Sequence, residues 1–414
     1  MPTLEFFRLQ TREEVLALYS RFAPVGAEEV DLAGALGRVL AAAAPAPEDV
    51  PGFLRATMDG YAVKAADTFG ASVGAPQYLE LKGEVPMGAV PARPVAGGEA
   101  LRVPTGAMLP PGADAVVMLE YTAEHPDRTL EVRRPVAPGE NVLQPGEDVG
   151  RGEVLFAAGS RLRPQDLGLL AALGVTRLSV HRRPRVAIWS SGDEIVPITQ
   201  QPGPGQVRDS NAYLAAAQVA QWGGIPDIKG IIPDDFSALK DALVATLPEA
   251  DLILISGGSS VGARDLTLEA IKALLGAEVL VHGVALRPGK PTILAAVGQP
   301  PLPLLGLPGH PASAAVVMEV LGRPLLARLA GLAAAPPWGR EVPALLSRNL
   351  AGASGREDFV RVKLRREGVT LWADPVLGPS GLLSPLVKSD GLVMIPLGLE
   401  GLLRGEAVTV RLFS

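Results

Sequence analysis

The sequence predicts a multidomain α/β plus β protein, with a mostly parallel α/β unit, a β-rich insert and a small C-terminal β-barrel. Three observations carry this. A length of 414 residues suits two to four domains at roughly 150 residues each. Residues 183–333 alternate strand-like and helix-like segments, the pattern of a parallel sheet covered by helices. Residues 47–145 and 338–414 instead read as short β runs between Pro/Gly turns. The composition agrees: 48% apolar and 20% charged residues allow several cores, and only 4% are aromatic, so the cores rest on aliphatic side chains. The 47 Gly and 39 Pro, about a fifth of the chain, favour short elements joined by tight turns.

In chain order, Thr11-Arg12-Glu13-Glu14 forms a capping box ahead of Val15, Leu16, Leu18 and Tyr19. A second short helix is expected from after Asp31 to Ala44. The insert holds β runs at Tyr78–Leu81, Ala115–Leu119 and Leu130–Val132. Residues 146–182 read as helical again, with Pro164 at a first helical position and Gly174 just past the last turn. Two helical zones flanking a β insert suggest one discontinuous domain. Beyond 183, strands are expected at Arg185–Ser190, Ile225–Ile232, Asp251–Ser256, Thr292–Val297 and Pro303–Leu307. Helices are expected up to Trp222 from Ser210 or Asn211, at Phe236–Leu247 and at Leu266–Leu275. A long one, kinked at Pro324, spans Ala312–Leu329. Residues 333–337 read as a linker. Strands then follow at Phe359–Leu364, Val369–Trp372, Leu392–Ile395 and Ala407–Leu412.

Several functions are excluded or disfavoured. With no cysteine there is no disulfide scaffold, iron–sulfur cluster, thiolate zinc site or nucleophilic thiol. Four scattered His disfavour a His-rich transition-metal site. A net charge of −6 disfavours nucleic acid and anionic membrane as partners. Apolar stretches such as Leu302–Val317 are broken by Pro and Gly and cannot span a bilayer. The N-terminus lacks a basic region followed by an apolar stretch, so a cytoplasmic location is expected.

In an α/β sheet, the ligand site lies at the carboxyl ends of the strands. Three loops fall there: Ser190–Glu194, Ser256–Asp265 and Leu305–Ser313. Each is also consistent with a simple tight turn. Together, glycine backbone and helix N-termini would form an oxyanion cradle, with Ser256, Gly257, Gly258, Ser260 and Gly262 in the second loop. Arg287-Pro288-Gly289-Lys290-Pro291 sets two cations in a constrained turn suited to phosphate or another oxyanion. Asp193, Glu194, Asp209 and Asp265 stand against them. Asp209 and Asp265 could be helix caps; as a group, acids beside an anion cradle suit a divalent cation such as Mg²⁺. The insert segments 56–63, 104–107 and 146–148 read as turns on residue chemistry alone.

Eight ordered motifs then resemble the molybdopterin molybdenumtransferases, the MoeA family related to the C-terminal domain of gephyrin. They are MDGYAV (58–63), PTGAMLPPGADAVVMLE (104–120), GENVLQPGEDV (139–149), SSGDEIV (190–196), RDSN (208–211), SGGSSVGARD (256–265), RPGKP (287–291) and GLPGHPAS (306–313). The resemblance covers essentially the whole chain. It implies an elongated protomer with residues 1–46 and 146–182 in one discontinuous domain. It further implies a β-rich insert at 47–145, an α/β molybdopterin-binding domain at 183–333 and a β-barrel at 334–414.

It also implies that adenylylated molybdopterin and molybdate react with Mg²⁺ present, releasing AMP, in a homodimer whose site is shared between subunits. The molybdopterin adenylyltransferase is a candidate partner. Asp59, Glu194, Asp209 and Asp265 are the implied catalytic acids, the last three also metal ligands. Thr105, Asp148, Arg287, Lys290, Pro308, His310 and Pro311 join the Gly-rich loop as implied substrate-binding residues. Three positions depart from the family, which usually has Asn at 310, Lys at 287 and Val at 259. Two other readings stay open: an adenylyltransferase-like enzyme, which leaves the chain outside 183–333 unexplained, and a non-catalytic scaffold, which has no need of the acids.

Overall fold

A computed structural model describes residues 9–257, 261–334 and 340–413; within 261–265 only the backbone is described. Gly258, Ser260 and most of the 333–337 segment therefore lie outside the described residues.

The capping box forms as the residues dictate: the Thr11 hydroxyl accepts from the Glu14 N–H, and Glu14 accepts from the Thr11 N–H. The second N-terminal helix does not form. Ala27–Asp31 is a strand paired antiparallel with Arg177–His181, followed only by a 3₁₀ turn at Leu32–Gly34. Ala44–Pro45 likewise pairs with Val154–Phe156. Within the expected helix, Val39 bridges Arg161 and Leu40 bridges Val180, so weak local helix propensity yields to pairing with distant segments that no short window can display. The helix Pro164–Ala172 forms as expected, with Pro164 at its start and Gly174 at φ +69° past its end.

The insert is a six-stranded sheet in the order 115–118, 60–63, 99–103, 77–84, 129–132, 122–124. This corrects the turn reading of 56–63, because Gly60–Val63 is a fully buried strand with partners on both sides.

The next unit contains β1 (Arg185–Ser191), β2 (Ile225–Ile232), β3 (Leu252–Ser256), β4 (Glu278–His282), β5 (Ile293–Val297) and β6 (Leu302–Leu307), in the spatial order β2-β1-β3-β6-β5-β4. Only β5 runs against the others. Strand β4 has no counterpart in the sequence expectation. Alternation along β1 and β3 sends Val186, Ile188, Leu252 and Leu254 to one face, with α1 (Asn211–Gln221) and the long C-terminal helix. Ala187, Ile253 and Ile255 face α2 (Phe236–Thr246) and α3 (Val261–Lys272). Burial on both faces explains why these strands read as continuous apolar runs.

The long helix is α4 (Pro311–Val317), a π-helical turn at Met318–Gly322, and α5 (Arg323–Leu329). The widened turn precedes Pro324, where an α-helical ladder would lose a donor and meet the ring. Among the described C-terminal residues, β7 (Glu341–Leu346), β8 (Glu357–Glu367), β9 (Thr370–Pro375), β10 (Gly391–Ile395) and β11 (Ala407–Leu412) close as a five-stranded barrel, β8-β9-β7-β11-β10 and back to β8. No helix among the described residues is long and apolar enough to cross a membrane.

Candidate active site

The carboxyl ends of the parallel strands carry an acidic edge. Strand β1 ends in two fully buried serines. The Ser190 and Ser256 hydroxyls pair across β1 and β3 at 3.2 Å. Ser191 donates to Asp234 Oδ1 at 3.1 Å, and the Asp234 N–H donates to Asp193 Oδ1 at 3.2 Å. Gly192 then sits at φ +149°, where a Cβ would stand 2.6 Å from Glu194 Oε2; only glycine leaves room for the glutamate to fold back there. Asp209 is buried and caps α1 by accepting from the Ala212 N–H at 3.1 Å, as the capping alternative allowed. Gly257 is flanked by the Ser191 and Thr267 hydroxyls.

Helix α3 begins at Val261, so Gly262 and Asp265 lie inside it, and Asp265 is not the N-cap that its sequence context also permitted. The Asp265 side chain lies outside the described residues.

Asp234 is the acid that sequence reasoning missed. Partial burial raises its carboxyl above the usual range, opposed by the Ser191 hydroxyl and reinforced by the charges of Asp193 and Glu194. The signal was available, since Asp234 follows β2 at the same sheet edge. Among the described residues no three Asp, Glu or His side chains gather closely enough to cage a metal ion. The donors are nevertheless all hard oxygens around a carboxyl pushed up first by burial and then by the like charges of Asp193 and Glu194. That chemistry fits Mg²⁺, which commonly takes one or two carboxylates together with waters and substrate phosphates.

A cationic cleft of about 920 Å³ opens between the α/β unit and the barrel. Leu286–Arg287 pairs in parallel with Glu357–Asp358 at the start of β8, so the cation turn is fastened to the barrel. The turn itself is held by the Thr292 hydroxyl donating to the Gly289 carbonyl (2.7 Å) and by the Val284 N–H donating to the Lys290 carbonyl (2.9 Å). Arg287, Lys290, Pro308 and His310 line the cleft. His310 Nδ1 lies 2.8 Å from the Ser380 hydroxyl, and Pro311 opens α4.

The barrel wall was absent from the sequence reading. It supplies Arg356, whose Nε donates to Asp358 Oδ1 at 3.0 Å, and Asp358, whose Oδ2 lies 3.7 Å from Arg287. It also supplies Arg361, whose Nη2 donates to the Gly378 carbonyl. Arg361 Nη1 is buried with no partner among the described residues, and burial lowers the pKa of this guanidinium. The charged run Arg356-Glu357-Asp358-Phe359-Val360-Arg361, leading into β8, was the available clue.

In the insert, Asp59 Oδ1 accepts from the Thr105 N–H at 2.6 Å, which holds its carboxyl below the usual range. Asp59 therefore fixes the PTGA turn. Asp148 is exposed, with its N–H on the Val50 carbonyl. Neither acid lines the cleft.

Fold and site together define an α/β protein joined to a β-barrel, with a cleft rich in Arg and Lys between them. The chain matches the MoeA N-terminal region (domain I and II) over residues 10–174. It matches a probable molybdopterin binding domain over 187–328 and the MoeA C-terminal region (domain IV) over 343–413. It is 36% identical over 387 residues to a molybdopterin molybdenumtransferase of Nostoc sp., covering 92% of this chain and 88% of that one. A Bacillus subtilis molybdopterin molybdenumtransferase is 33% identical over 389 residues, covering 93% and 89%. The crystal structure of a molybdopterin biosynthesis MoeA protein from Pyrococcus horikoshii superposes with a TM-score of 0.82 at 37% identity, covering 98% of this chain and 100% of that one. The chain belongs to the MoeA family.

Proposed function

We propose that this chain is a molybdopterin molybdenumtransferase of molybdenum cofactor biosynthesis. In this reading it takes molybdenum from molybdate into adenylylated molybdopterin, cleaving the adenylate and releasing AMP. The observation that carries the reading is the cleft, where Arg287 and Lys290 face Arg356 and a buried Arg361 across a space large enough for an oxyanion and part of a pterin. Arginine forks and a lysine ammonium suit tetrahedral oxyanions.

Breaking a phosphoanhydride requires charge neutralisation and a water that loses its proton as it attacks phosphorus. Glu194, Asp209 and Asp265 are proposed to hold Mg²⁺ against phosphate oxygens, where the ion would neutralise developing charge. Asp234, with its raised carboxyl at the same edge, is proposed to take the proton. Ser256 through Gly262 would contribute backbone N–H groups to the pterin phosphate.

Purified protein with adenylylated molybdopterin, molybdate and Mg²⁺ should release AMP and yield molybdenum-loaded cofactor. AMP release that ignores molybdate and Mg²⁺ would contradict this assignment, and binding without any release would favour the scaffold.

The same proposal includes an elongated four-domain protomer acting as a homodimer in the cytoplasm, with Asp59, Thr105 and Asp148 facing the partner subunit's α/β unit. The molybdopterin adenylyltransferase would hand over the substrate. Inactive Asp59→Asn and Glu194→Gln protomers, exchanged into heterodimers, should then regain activity because one of two sites is intact. Heterodimers as inactive as their parents would exclude the shared arrangement.

His310 faces the cations Arg287, Lys290, Arg356 and Arg361 and the carboxylate Asp358 around the cleft.

A further inference from the structure

Asn211 connects the two halves of the site. It is the first residue of α1, two positions beyond Asp209, and it is nine-tenths buried. Its Nδ2 donates to the Gly309 carbonyl at 2.8 Å, across 98 residues of sequence. Its Oδ1 is buried and meets no partner among the described residues. Gly309 and His310 form one wall of the cleft, and His310 in turn meets Ser380 of the barrel. The Arg287–Lys290 turn, which also lines the cleft, has its own supports in Thr292 and Val284. Helix capping does not need the Asn211 side chain, because Asp209 already accepts from the Ala212 N–H.

We infer that Asn211 is a positioning residue whose amide, by holding the Gly309 carbonyl, sets the Gly309–His310 wall and thereby the affinity for molybdate. It does so without touching the anion. This rests on the reading above that molybdate enters the cleft. Gly309 is partly buried, and its carbonyl, left without the Asn211 donor, turns toward another donor or solvent; turning the 309–310 peptide displaces the His310 ring that follows it. The acidic edge is held by Ser191 and by backbone N–H groups, so it stays in place when the Asn211 bond is lost.

The test is Asn211→Asp, which keeps the side-chain shape but sets an oxygen against the Gly309 carbonyl. The molybdate KM should rise at least tenfold with kcat within threefold of wild type. The Kd for molybdate alone, read by calorimetry without pterin, should weaken by a similar factor. Asn211→Ser, which keeps a donor, should bind molybdate more tightly than Asn211→Asp. If Asn211→Asp fails to fold, Asn211→Ala takes its place and should bind molybdate at least threefold more weakly than wild type.

Wild-type affinity in the variant overturns the inference. So does a fall in kcat and melting temperature with molybdate KM and Kd unchanged, the signature of a merely structural residue. Wild-type protein that binds no molybdate would instead overturn the functional reading on which this inference rests.

Discussion

Replacing Gly60 with alanine should destabilise the β-rich insert by about 3 kcal/mol or more, at the upper end for an overpacked core position. Gly60 opens the strand 60–63, which lies between 99–103 and 115–118. A Cβ at this position would stand 2.0 Å from the Val117 carbonyl oxygen, 2.9 Å from its carbon and 3.0 Å from Val116 Cγ1. The nearest obstacle is backbone committed to the ladder, so no rotamer change can relieve it. The strand cannot shift sideways either, because it has hydrogen-bonded partners on both edges. Gly34→Ala is the matched control, since a Cβ there meets nothing within 4 Å. Thermal or urea unfolding should show a large loss for Gly60→Ala and almost none for Gly34→Ala. Equal midpoints would refute the packing argument. Because Asp59 and its bond to Thr105 precede this strand directly, the variant should also lose activity.

Glu194→Gln and Asp234→Asn should each lower turnover at least tenfold, about 1.4 kcal/mol of barrier, while leaving the fold intact. Both exchanges keep size and hydrogen-bonding shape and remove charge. For Asp234 the structure adds a second, opposite expectation. Its carboxyl is raised, first by burial and then by Asp193 and Glu194, with Ser191 opposing. A group raised in the folded state contributes stability below its unfolded pKa and loses that contribution as pH rises through the folded value. At neutral pH the Asp234 carboxylate therefore gives the fold no benefit, and asparagine still accepts from Ser191. The variant should melt no lower than wild type at pH 7. Any advantage should shrink as pH falls through the carboxylate range. A variant that loses stability and keeps its turnover would show Asp234 to be a structural acid.

Much of the architecture is readable in the sequence. Ile225–Ile232 and Ala407–Leu412 fall where the periodicity places them, and α2 and β3 to within a residue at an end. These segments carry their own evidence, in continuous apolar runs, caps and flanking turns. The cation turn 287–291 and the turn 306–313 were legible for the same reason, because Pro and Gly restrict or free φ locally. Gly60–Val63 was not, since its Met-Asp-Gly lead has turn chemistry and only partners on both edges make it a strand. The placement of the barrel side of the cleft was equally hidden: its charged run stands out, but Arg356 and Arg361 lie some 70 residues beyond Arg287, and nothing in their neighbourhood reveals that β8 begins beside it.

By itself the sequence determined the chemistry available to this protein: no thiol, hard oxygen acids, a constrained pair of cations and glycine-rich strand ends. It also determined most of the local elements, because backbone propensity and side-chain period act within a few residues. Tertiary structure alone decided that Ala27–Asp31 would pair with Arg177–His181, that β8 would wall the cleft, that Asn211 would hold Gly309, and that Asp234 would be raised. Burial and through-space charge depend on which distant segments meet, and that meeting is set by the cooperative packing of the whole chain.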